Sequence, residues 1–363
     1  MLKVEVLGGV GEYGRNCFYI EKDGRGILLD CGIMNNGEKT LPDLRSSHAA
    51  KLDAVFISHS HTDHTGALYL LQKWYCHAPI VMSDMTASQL KGDFQNEMTF
   101  ENDSSGKWIT INERLRFKWG YTGHLIGSVW YKIDFCGEHI FYSGDYVADS
   151  YLMKSTLPAL DGNSYDVAII DSGHIEKRIN NKEVLNRLRT YVDTVAPGPV
   201  VVPSSYSGKT ADLAVYLFQH AKAKITVSPS LHTFFKDYFE APHYLRNGIC
   251  KDVMKQFSKV CLGNEQRGDA RVVHFIADDE EETIRKMLDD ASSSIVQTGY
   301  SRVNGQGQLQ AEGRVKEFFY KTHPDYDDLL KLTAQIDAKR IILFHSPYTN
   351  IKANPLKFLK EKV

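Results

Sequence analysis

A histidine-rich motif, HSHTDH at residues 59–64, follows the apolar run AVFI. The apolar run has the length and composition of a strand that is buried on both faces. Alternate residues of an extended segment point the same way, so His59 and His61 can reach one metal ion. Asp63 and His64 turn into the predicted helix that follows and can face a second ion. The motif therefore predicts a metal centre at a strand-to-helix turn.

A centre with two metal ions needs more ligands than these four, and three later residues have a matching setting. His124, Asp145 and His345 each end a predicted strand and have a Gly or Ser neighbour. Taken singly, each would more often be structural, but their order after the first motif indicates a shared site. Imidazole and carboxylate together suit Zn²⁺, and also Mn²⁺ or Fe. For the motif at residues 59–64, the alternative to a metal site is a histidine-rich surface loop. The histidines predicted to be ordinary residues are His48, His77, His139, His174, His220, His232, His243 and His274.

The composition is that of an ordinary globular chain, with 42% hydrophobic and 24% charged residues among 363, which excludes global disorder and a disulfide miniprotein. Lys and Arg number 43 against 45 Asp and Glu, which argues against a broadly basic coat protein but not against a local basic groove. The six cysteines form no CxxC pair, as is typical of reduced thiols. No apolar run approaches the ~18 residues of a membrane helix, and no signal-peptide pattern is present. We therefore expect a cytoplasmic protein with no membrane partner.

The length suits about two domains. Short β-like runs dominate the first third, whereas strand and helix patterns alternate from about residue 176 to 319. Such alternation predicts a small parallel sheet. We therefore expect a core formed by residues 1–175 and 320–363, with residues 176–319 inserted as a cap domain.

The order of the metal motifs resembles that of metallo-β-lactamase fold hydrolases, and the finer match is to the β-CASP nuclease branch, which includes ribonuclease J. The glycine-rich segment at residues 7–16 resembles the entry segment of that branch. Asp171 ends an apolar run and His323 precedes a predicted helix, and these residues resemble two of its additional motifs. His345 resembles the third, and residues 200–210 resemble a strand–loop–helix of its inserted domain.

This resemblance implies an α/β fold, namely a metallo-β-lactamase αββα sandwich with an inserted small parallel α/β domain of the β-CASP type. It also implies two divalent metal ions, with Zn²⁺ expected and Mn²⁺ as the alternative, which lower the pKa of a shared water and so supply hydroxide. By the same resemblance, one ion is held by His59, His61 and His124, the other by Asp63, His64 and His345, and Asp145 bridges the two.

Two residues outside this ligand set are expected to act in catalysis together with Asp63. His323 is the candidate general acid, because imidazole titrates near neutrality. Asp171 would orient His323 or a metal ligand. Asp30, which also ends an apolar run, is a second candidate for such an orienting role, and a simple turn residue is the equal alternative.

The loop SSYSGKT at residues 204–210 nearly fits the phosphate-binding pattern GxxxxGK[ST]. Pro203 replaces the first glycine, so we reject an ATP-binding loop. Ser205, Ser207 and Lys209 can still bind a substrate phosphate near the metals through hydroxyls, backbone N–H groups and the helix dipole. Helix capping alone is the equal alternative.

Basic and aromatic side chains in or beside the inserted region could contact a nucleic-acid backbone and stack on bases. A solvated charged face over a small aromatic core is the alternative. These residues are Lys177, Arg178, Arg302, Arg314, Lys316, Lys321, Phe318, Phe319 and Tyr320.

Motifs and resemblance together imply a metal-dependent nuclease that hydrolyses phosphodiester bonds of RNA or single-stranded DNA. The alternative is a small-molecule hydrolase of the same fold, acting on lactones, thioesters or phosphodiesters, which the sequence pI of about 6.7 slightly favours. A nucleic-acid-binding scaffold with a decayed site is a third class, and the complete ligand set argues against it. A homodimer is compatible with the sequence.

Overall fold

The computed structural model describes residues 1–34, 39–90, 92, 94–100, 104–158, 164–247, 251–261, 271–299 and 306–347. The chain divides into two compact units. The first unit comprises Met1–Ala148, Ser155–Arg178 and His323–Val363, and the second comprises Asp149–Lys154 and Ile179–Thr322. The inserted unit thus begins at residue 179 rather than 176 and ends at 322 rather than 319, and it also includes the short segment 149–154.

Strands and helices follow one another through both units. The strands are β1 (Lys3–Gly8), β2 (Cys17–Lys22), β3 (Arg25–Leu29), β4 (Leu52–Phe56), β5 (Ile80–Ser83), β6 (Glu97–Phe100), β7 (Ile109–Asn112), β8 (Leu115–Tyr121), β9 (Val129–Phe135), β10 (Glu138–Tyr142), β11 (Val167–Asp171), β12 (Val200–Ser204), β13 (Lys224–Val227), β14 (Val272–Ala277), β15 (Ser294–Gln297), β16 (Val315–Glu317) and β17 (Ile341–Phe344). The helices are α1 (Ser46–Ala49), α2 (Thr62–Thr65), α3 (Tyr69–Lys73), α4 (Asp84–Gln89), α5 (Asn181–Thr190), α6 (Gly208–His220), α7 (Pro229–Glu240), α8 (Lys251–Cys261), α9 (Glu281–Leu288), α10 (Gln306–Ala311) and α11 (Tyr326–Gln335). Within the described part of the chain, none of these helices has the length and apolar character needed to cross a bilayer.

Two six-stranded sheets form the first unit. One has the order β1-β2-β3-β4-β5-β6, antiparallel from β1 to β3 and parallel from β3 to β6. The other has the order β17-β11-β10-β9-β8-β7, with β7 to β10 antiparallel and β10, β11 and β17 parallel. The sheets face each other through aromatic rings, since the ring centroid of Phe56 lies 5.4 Å from Phe117 and 5.2 Å from Tyr131.

Helices cover the outer face of each sheet. Leu71 of α3 packs with Val55 of the first sheet, and Leu332 of α11 packs with Ile170 of the second. Each such side chain contributes about 1.5–3 kcal/mol when it is fully buried. Val55 and Phe56 alternate between the helix side and the inner side of their sheet, as the period of a strand requires. The layers are therefore helix, sheet, sheet and helix, and the predicted αββα sandwich is confirmed.

The second unit is built on five parallel strands in the order β13-β14-β12-β15-β16. Val201, Ile276 and Ile295 of these strands pack with Ile284 of α9 in an apolar core. A parallel sheet needs crossover connections, and helices supply them between successive strands. The predicted small parallel α/β domain is confirmed.

Candidate metal centre

The motif at residues 59–64 lies where β4 gives way to α2. β4 ends at Phe56 and α2 begins at Thr62, so His59 stands on the connection and His64 on the helix. Both side chains are buried, and their ring centroids are 4.1 Å apart. The strand-to-helix turn therefore directs side chains from its two arms into one space.

Four side chains form the first ligand cluster, which we define as His59, His61, His124 and Asp145. Nδ1 of His61 lies 3.0 Å from Nε2 of His59 and 3.2 Å from Nε2 of His124. Oδ2 of Asp145 lies 3.8 Å from Nε2 of His59 and 3.4 Å from Nε2 of His124. Ligand atoms of a tetrahedral zinc site, with bonds of about 2.0–2.1 Å, are about 3.3 Å apart. The separations in the first cluster are close to that value.

The second ligand cluster consists of Asp63, His64 and His345, and Asp145 reaches it too. Nε2 of His64 lies 3.6 Å from Oδ2 of Asp63 and 3.2 Å from Oδ1 of Asp145. Nδ1 of His345 lies 3.4 Å from the same Oδ1, and its Nε2 lies 4.0 Å from Oδ2 of Asp63. Asp145 thus turns Oδ2 to the first cluster and Oδ1 to the second, which is the arrangement of a bridging carboxylate.

The polar atoms between the two clusters match the needs of bound cations. Oδ1 of Asp145 and Nδ1 of His345 are buried, and within the described residues neither has a hydrogen-bond partner. Burying polar atoms without hydrogen bonds is costly, and metal coordination is one of the ways in which proteins offset that cost. The structure brings all seven predicted ligand residues together, and this His/Asp cluster is able to bind metal ions.

The charges of the clusters also favour a cation. Burial would raise the pKa of Asp145, but His64 and His345 hold it well below its ordinary value, so the carboxylate is ionised. Burial would lower the pKa of His64, but Asp145 and Asp63 raise it well above its ordinary value. His59 differs, because burial and then His64 lower its pKa, and a neutral imidazole has a lone pair to offer. A metal ion would take the place of the protons that these carboxylates attract.

Two buried residues outside the ligand set contact His64. Oδ2 of Asp30 lies 2.5 Å from Nδ1 of His64, and Nδ2 of Asn16 lies 2.9 Å from its Nε2. The contact of Asp30 is that of an orienting carboxylate, whereas a plain turn residue would have none. Asn16 is not among the sequence-predicted site residues. The sequence signal for Asn16 is its position at the end of the glycine-rich segment. Its Nδ2 lies 3.4 Å from Oδ2 of Asp63.

Asp171 and His323 form a pair beside Asp145. Nδ1 of His323 lies 3.0 Å from Oδ2 of Asp171 and 3.7 Å from Oδ2 of Asp145. Gly173 leaves room for the imidazole, because a Cβ there would lie 2.6 Å from Cγ of His323. Burial and then the charge of Asp145 raise the pKa of Asp171 to about 8, whereas burial and then His345 lower the pKa of His323 to about 3. Burial therefore disfavours the charged form of both members of this pair.

Ser205, Ser207 and Lys209 lie in the second unit, where β12 turns into α6. The Oγ atoms of Ser205 and Ser207 are 3.0 Å apart, and Oγ1 of Thr210 donates to the carbonyl of Ser205 at 2.6 Å. Ser207 precedes the first residue of α6, but its hydroxyl makes no capping hydrogen bond. Capping is thus not what the Ser207 hydroxyl does, and the phosphate-binding role of the three residues stays a prediction.

The basic and aromatic residues of the inserted region are partly structural. Tyr320 and Phe318 are buried, so their rings cannot stack on bases, contrary to the suggestion from the sequence. Arg314 donates to backbone carbonyls at 2.6–2.8 Å, and Lys321 is buried within 3.5 Å of a carboxylate of its own unit. For these four residues the structural alternative describes the setting found. Arg302 lies outside the described residues.

Comparisons with known proteins agree with this fold and site. Residues 10–162 match the family model of the Metallo-beta-lactamase superfamily. The whole chain is 23% identical to Integrator complex subunit 11 of Gallus gallus, over 71% of that protein. It is 28% identical to cleavage and polyadenylation specificity factor 73 of Drosophila melanogaster, over 70% of this chain and 39% of that protein. It is 22% identical to the RNase J-like protein of Methanocaldococcus jannaschii, over 97% of this chain and 94% of that protein.

Among the solved structures of similar fold is one that covers nearly the full length of this chain. It is a protein of unknown function from Enterococcus faecalis V583, which superposes with a TM-score of 0.62 and 10% sequence identity, over 97% of this chain and 95% of that chain. Fold and site thus define a metallo-β-lactamase domain in the first unit. One of these relatives is named RNase J-like, and the predicted resemblance of this chain to the branch that includes ribonuclease J is confirmed.

Proposed function

We propose that this chain is a metal-dependent nuclease that hydrolyses phosphodiester bonds of RNA. The observation that carries the proposal is the pair of ligand clusters sharing Asp145, with Asp171 and His323 directly beside it. Among the relatives, one is named RNase J-like and another is a cleavage and polyadenylation specificity factor. Those names favour RNA over single-stranded DNA and over small esters as the substrate.

The two clusters would each hold one divalent ion. His59, His61 and His124 would hold the first, Asp63, His64 and His345 the second, and each oxygen of Asp145 would face one ion. The imidazole-rich first cluster favours Zn²⁺, with Mn²⁺ as the alternative. Bound ions at such a site lower the pKa of a water and neutralise charge on phosphate oxygens.

His323 and Asp171 would handle the proton of the leaving group. In the form that has one proton on the Asp171 carboxyl, that group would donate to Nδ1 of His323 and leave Nε2 as an N–H group. As Nε2 gives its proton to the leaving oxygen, Nδ1 takes the proton of Asp171. His323 thus returns to a neutral imidazole, and the buried carboxyl becomes the carboxylate.

Ser205, Ser207 and Lys209 would bind a phosphate of the polynucleotide backbone. The two hydroxyls lie side by side at the start of α6, and Lys209 adds a positive charge in the first helical turn. Replacing Ser207 and Lys209 together by alanine should raise the KM for RNA and leave the metal content unchanged. An unchanged KM would reject this role.

The protein loaded with Zn²⁺ or Mn²⁺ should be offered labelled RNA, single-stranded DNA and a simple phosphodiester. The proposal expects cleavage of RNA, and its loss in the Asp63→Ala, His64→Ala double variant. A matched control replaces exposed residues of the same types, His77→Ala with Asp289→Ala, and should cleave as the unmodified protein does.

Other outcomes separate the alternatives. Cleavage of the small ester alone would support the small-molecule hydrolase, and RNA binding without turnover would support the scaffold. Homodimer formation and a cytoplasmic location stay predictions from the sequence.

A further inference from the structure

The glycine-rich segment, residues 7–16, is hydrogen-bonded to two residues of the second ligand cluster. The backbone N–H of Asn16 donates to the carbonyl of Asp63 at 2.8 Å, and the N–H of His345 donates to the carbonyl of Gly9 at 2.8 Å. Inside the segment, Oε1 of Glu12 accepts a hydrogen bond from the N–H of Gly9 at 2.9 Å. The segment therefore has a fixed position beside these two predicted ligands.

Tyr13 stands at the middle of this segment and is exposed. It keeps 54% of its accessible surface, although a tyrosine ring gains from burial. Its ring centroid lies 5.9 Å from that of His345, at an interplanar angle of 63°. The next residue, Gly14, lies close to Asp63, because a Cβ at Gly14 would be 3.7 Å from Cβ of Asp63.

The ligand clusters reach solvent through Asp63 and His345 of the second cluster and through His61 of the first, which is also partly exposed. The side chains of His59 and His64 have no exposure and that of Asp145 has 2%, whereas Asp63 has 28% and His345 has 12%. A substrate phosphate can therefore reach the second cluster from the side where Asp63 and His345 are exposed. Tyr13 contacts His345 on that exposed rim.

We infer that Tyr13 stacks on the nucleobase of a nucleotide next to the scissile phosphate, an inference that rests on the proposed nuclease function. Each phosphate of a polynucleotide has a base as its neighbour, and every base has a face on which an aromatic ring can stack. Stacking needs an unpaired base, so the substrate at this site is a single-stranded segment. A simple phosphodiester without a base gains nothing from this ring.

The test compares Tyr13→Ala and Tyr13→Phe with a control, Tyr69→Ala, whose tyrosine has a similar exposure of 50%. The cleaved position of a labelled single-stranded RNA is first mapped with the unmodified protein. A second RNA then carries an abasic ribose at one side of that position, and a third carries it at the other side. For each pair of protein and RNA, KM, kcat and bound metal per chain are measured.

The inference expects Tyr13→Ala to raise the KM for ordinary RNA about tenfold, with kcat and metal content nearly unchanged. Tyr13→Phe should keep the low KM, because the ring and not the hydroxyl stacks. For one of the two abasic RNAs, the KM of the unmodified protein should be about tenfold higher than for ordinary RNA. Tyr13→Ala should cause no further rise in KM with that RNA. Tyr69→Ala should behave as the unmodified protein.

The inference alone would be overturned by an unchanged KM in Tyr13→Ala, or by a rise in KM in Tyr13→Phe as large as that in Tyr13→Ala. It would also be overturned if Tyr13→Ala raised the KM for both abasic RNAs by the same factor as for ordinary RNA. Failure of the metal-loaded, unmodified protein to cleave any RNA would instead overturn the proposed function, and the inference with it. The two failures are therefore distinct.

Discussion

Oδ2 of Asp30 lies 2.5 Å from Nδ1 of His64, and neither side chain is accessible to solvent. Asp30 also accepts hydrogen bonds from the N–H and the hydroxyl of Ser58, both at 2.7 Å, and from the hydroxyl of Tyr142. With Nδ1–H of His64 donated to a carboxylate, Nε2, which lies 3.2 Å from Oδ1 of Asp145, is the nitrogen left to bind a metal ion in place of a proton. This contact selects the tautomer that a metal ligand needs.

We expect Asp30→Asn to weaken metal binding about 10–100-fold, as changes behind a metal-bound histidine typically do. An asparagine amide facing Nδ1 would donate to it, which shifts the ring proton to Nε2 and removes the ligand lone pair. Metal bound per chain, measured against a series of free Zn²⁺ concentrations, checks this.

Asp53→Asn is the control, because Asp53 is an aspartate of the same sheet whose partner is Arg25. It should bind metal as the unmodified protein does. If both variants hold two ions per chain with unchanged affinity, Asp30 has no orienting role.

Gly32 is a position where the backbone of the metal motif comes too close for a side chain. A Cβ at Gly32 would lie 1.7 Å from the carbonyl oxygen of Asp63 and 2.8 Å from the N–H nitrogen of His64. Gly32→Ala must therefore displace the segment that carries two predicted ligands. We expect a loss of about 3 kcal/mol in the free energy of unfolding, with a clear loss of bound metal.

Gly24→Ala is the control for Gly32→Ala, because it introduces backbone strain without a steric clash. Gly24 has a φ of +79°, and nothing lies within 4 Å of a Cβ there, so the expected cost is only about 1–2 kcal/mol. Urea unfolding of both variants measures the difference. Equal losses in the two, with metal retained in both, would contradict the prediction.

The sequence predicted the parts of the site that depend on local pattern. The motif at residues 59–64 places its side chains by strand and helix periodicity, and these side chains do lie together. Each oxygen of Asp145 faces a different cluster because of the rotation of its carboxylate. The spacing of residues in the sequence does not predict that rotation. Asn16 and Tyr13 owe their positions to contacts with Asp63 and His345, which are distant in sequence.

Burial was the least predictable property in the inserted unit. Tyr320 has an aromatic, basic sequence context that indicates a nucleic-acid contact, yet its hydroxyl donates to Asp212 at 2.5 Å in a closed interior. The segment 149–154 belongs to the same interior through Ser150. A single sequence does not reveal that a segment before β11 packs in the later unit, because the pairing is tertiary and lacks a periodic signal.

A substrate with a good leaving group tests the role of His323. If His323 protonates the leaving oxygen, His323→Ala should lower kcat on RNA about 10²–10⁴-fold. Bis(p-nitrophenyl) phosphate releases a stable phenolate that needs no proton, so the same variant should keep most of its activity on it. Metal content per chain should stay the same as in the unmodified protein.

Asp171→Asn is the companion variant, since it removes the partner that supplies the proton to Nδ1. It should show the same split between the two substrates. Equal losses on RNA and on the nitrophenyl ester would instead place His323 and Asp171 in the ligand set, and metal analysis would then show fewer ions.

Asp212 makes the stability of the protein depend on pH. Its carboxylate accepts hydrogen bonds from Ser150 at 2.9 Å, Leu152 at 2.8 Å, Tyr151 at 3.1 Å and Tyr320 at 2.5 Å. Burial still raises its pKa to about 6 against these donors. The folded state then binds more protons than the unfolded state between pH ~4 and ~6, so stability is lost as the pH rises through that window.

We therefore expect the free energy of unfolding of the unmodified protein, minus that of Asp212→Asn, to fall by about 2 kcal/mol from pH 4 to pH 7. Urea unfolding of both proteins across this range measures it, and other titrating groups cancel in the difference. Tyr320→Phe removes a donor that favours the carboxylate, so the upper end of this window should move to higher pH. A difference that stays constant or grows with pH would mean that the four donors keep Asp212 ionised.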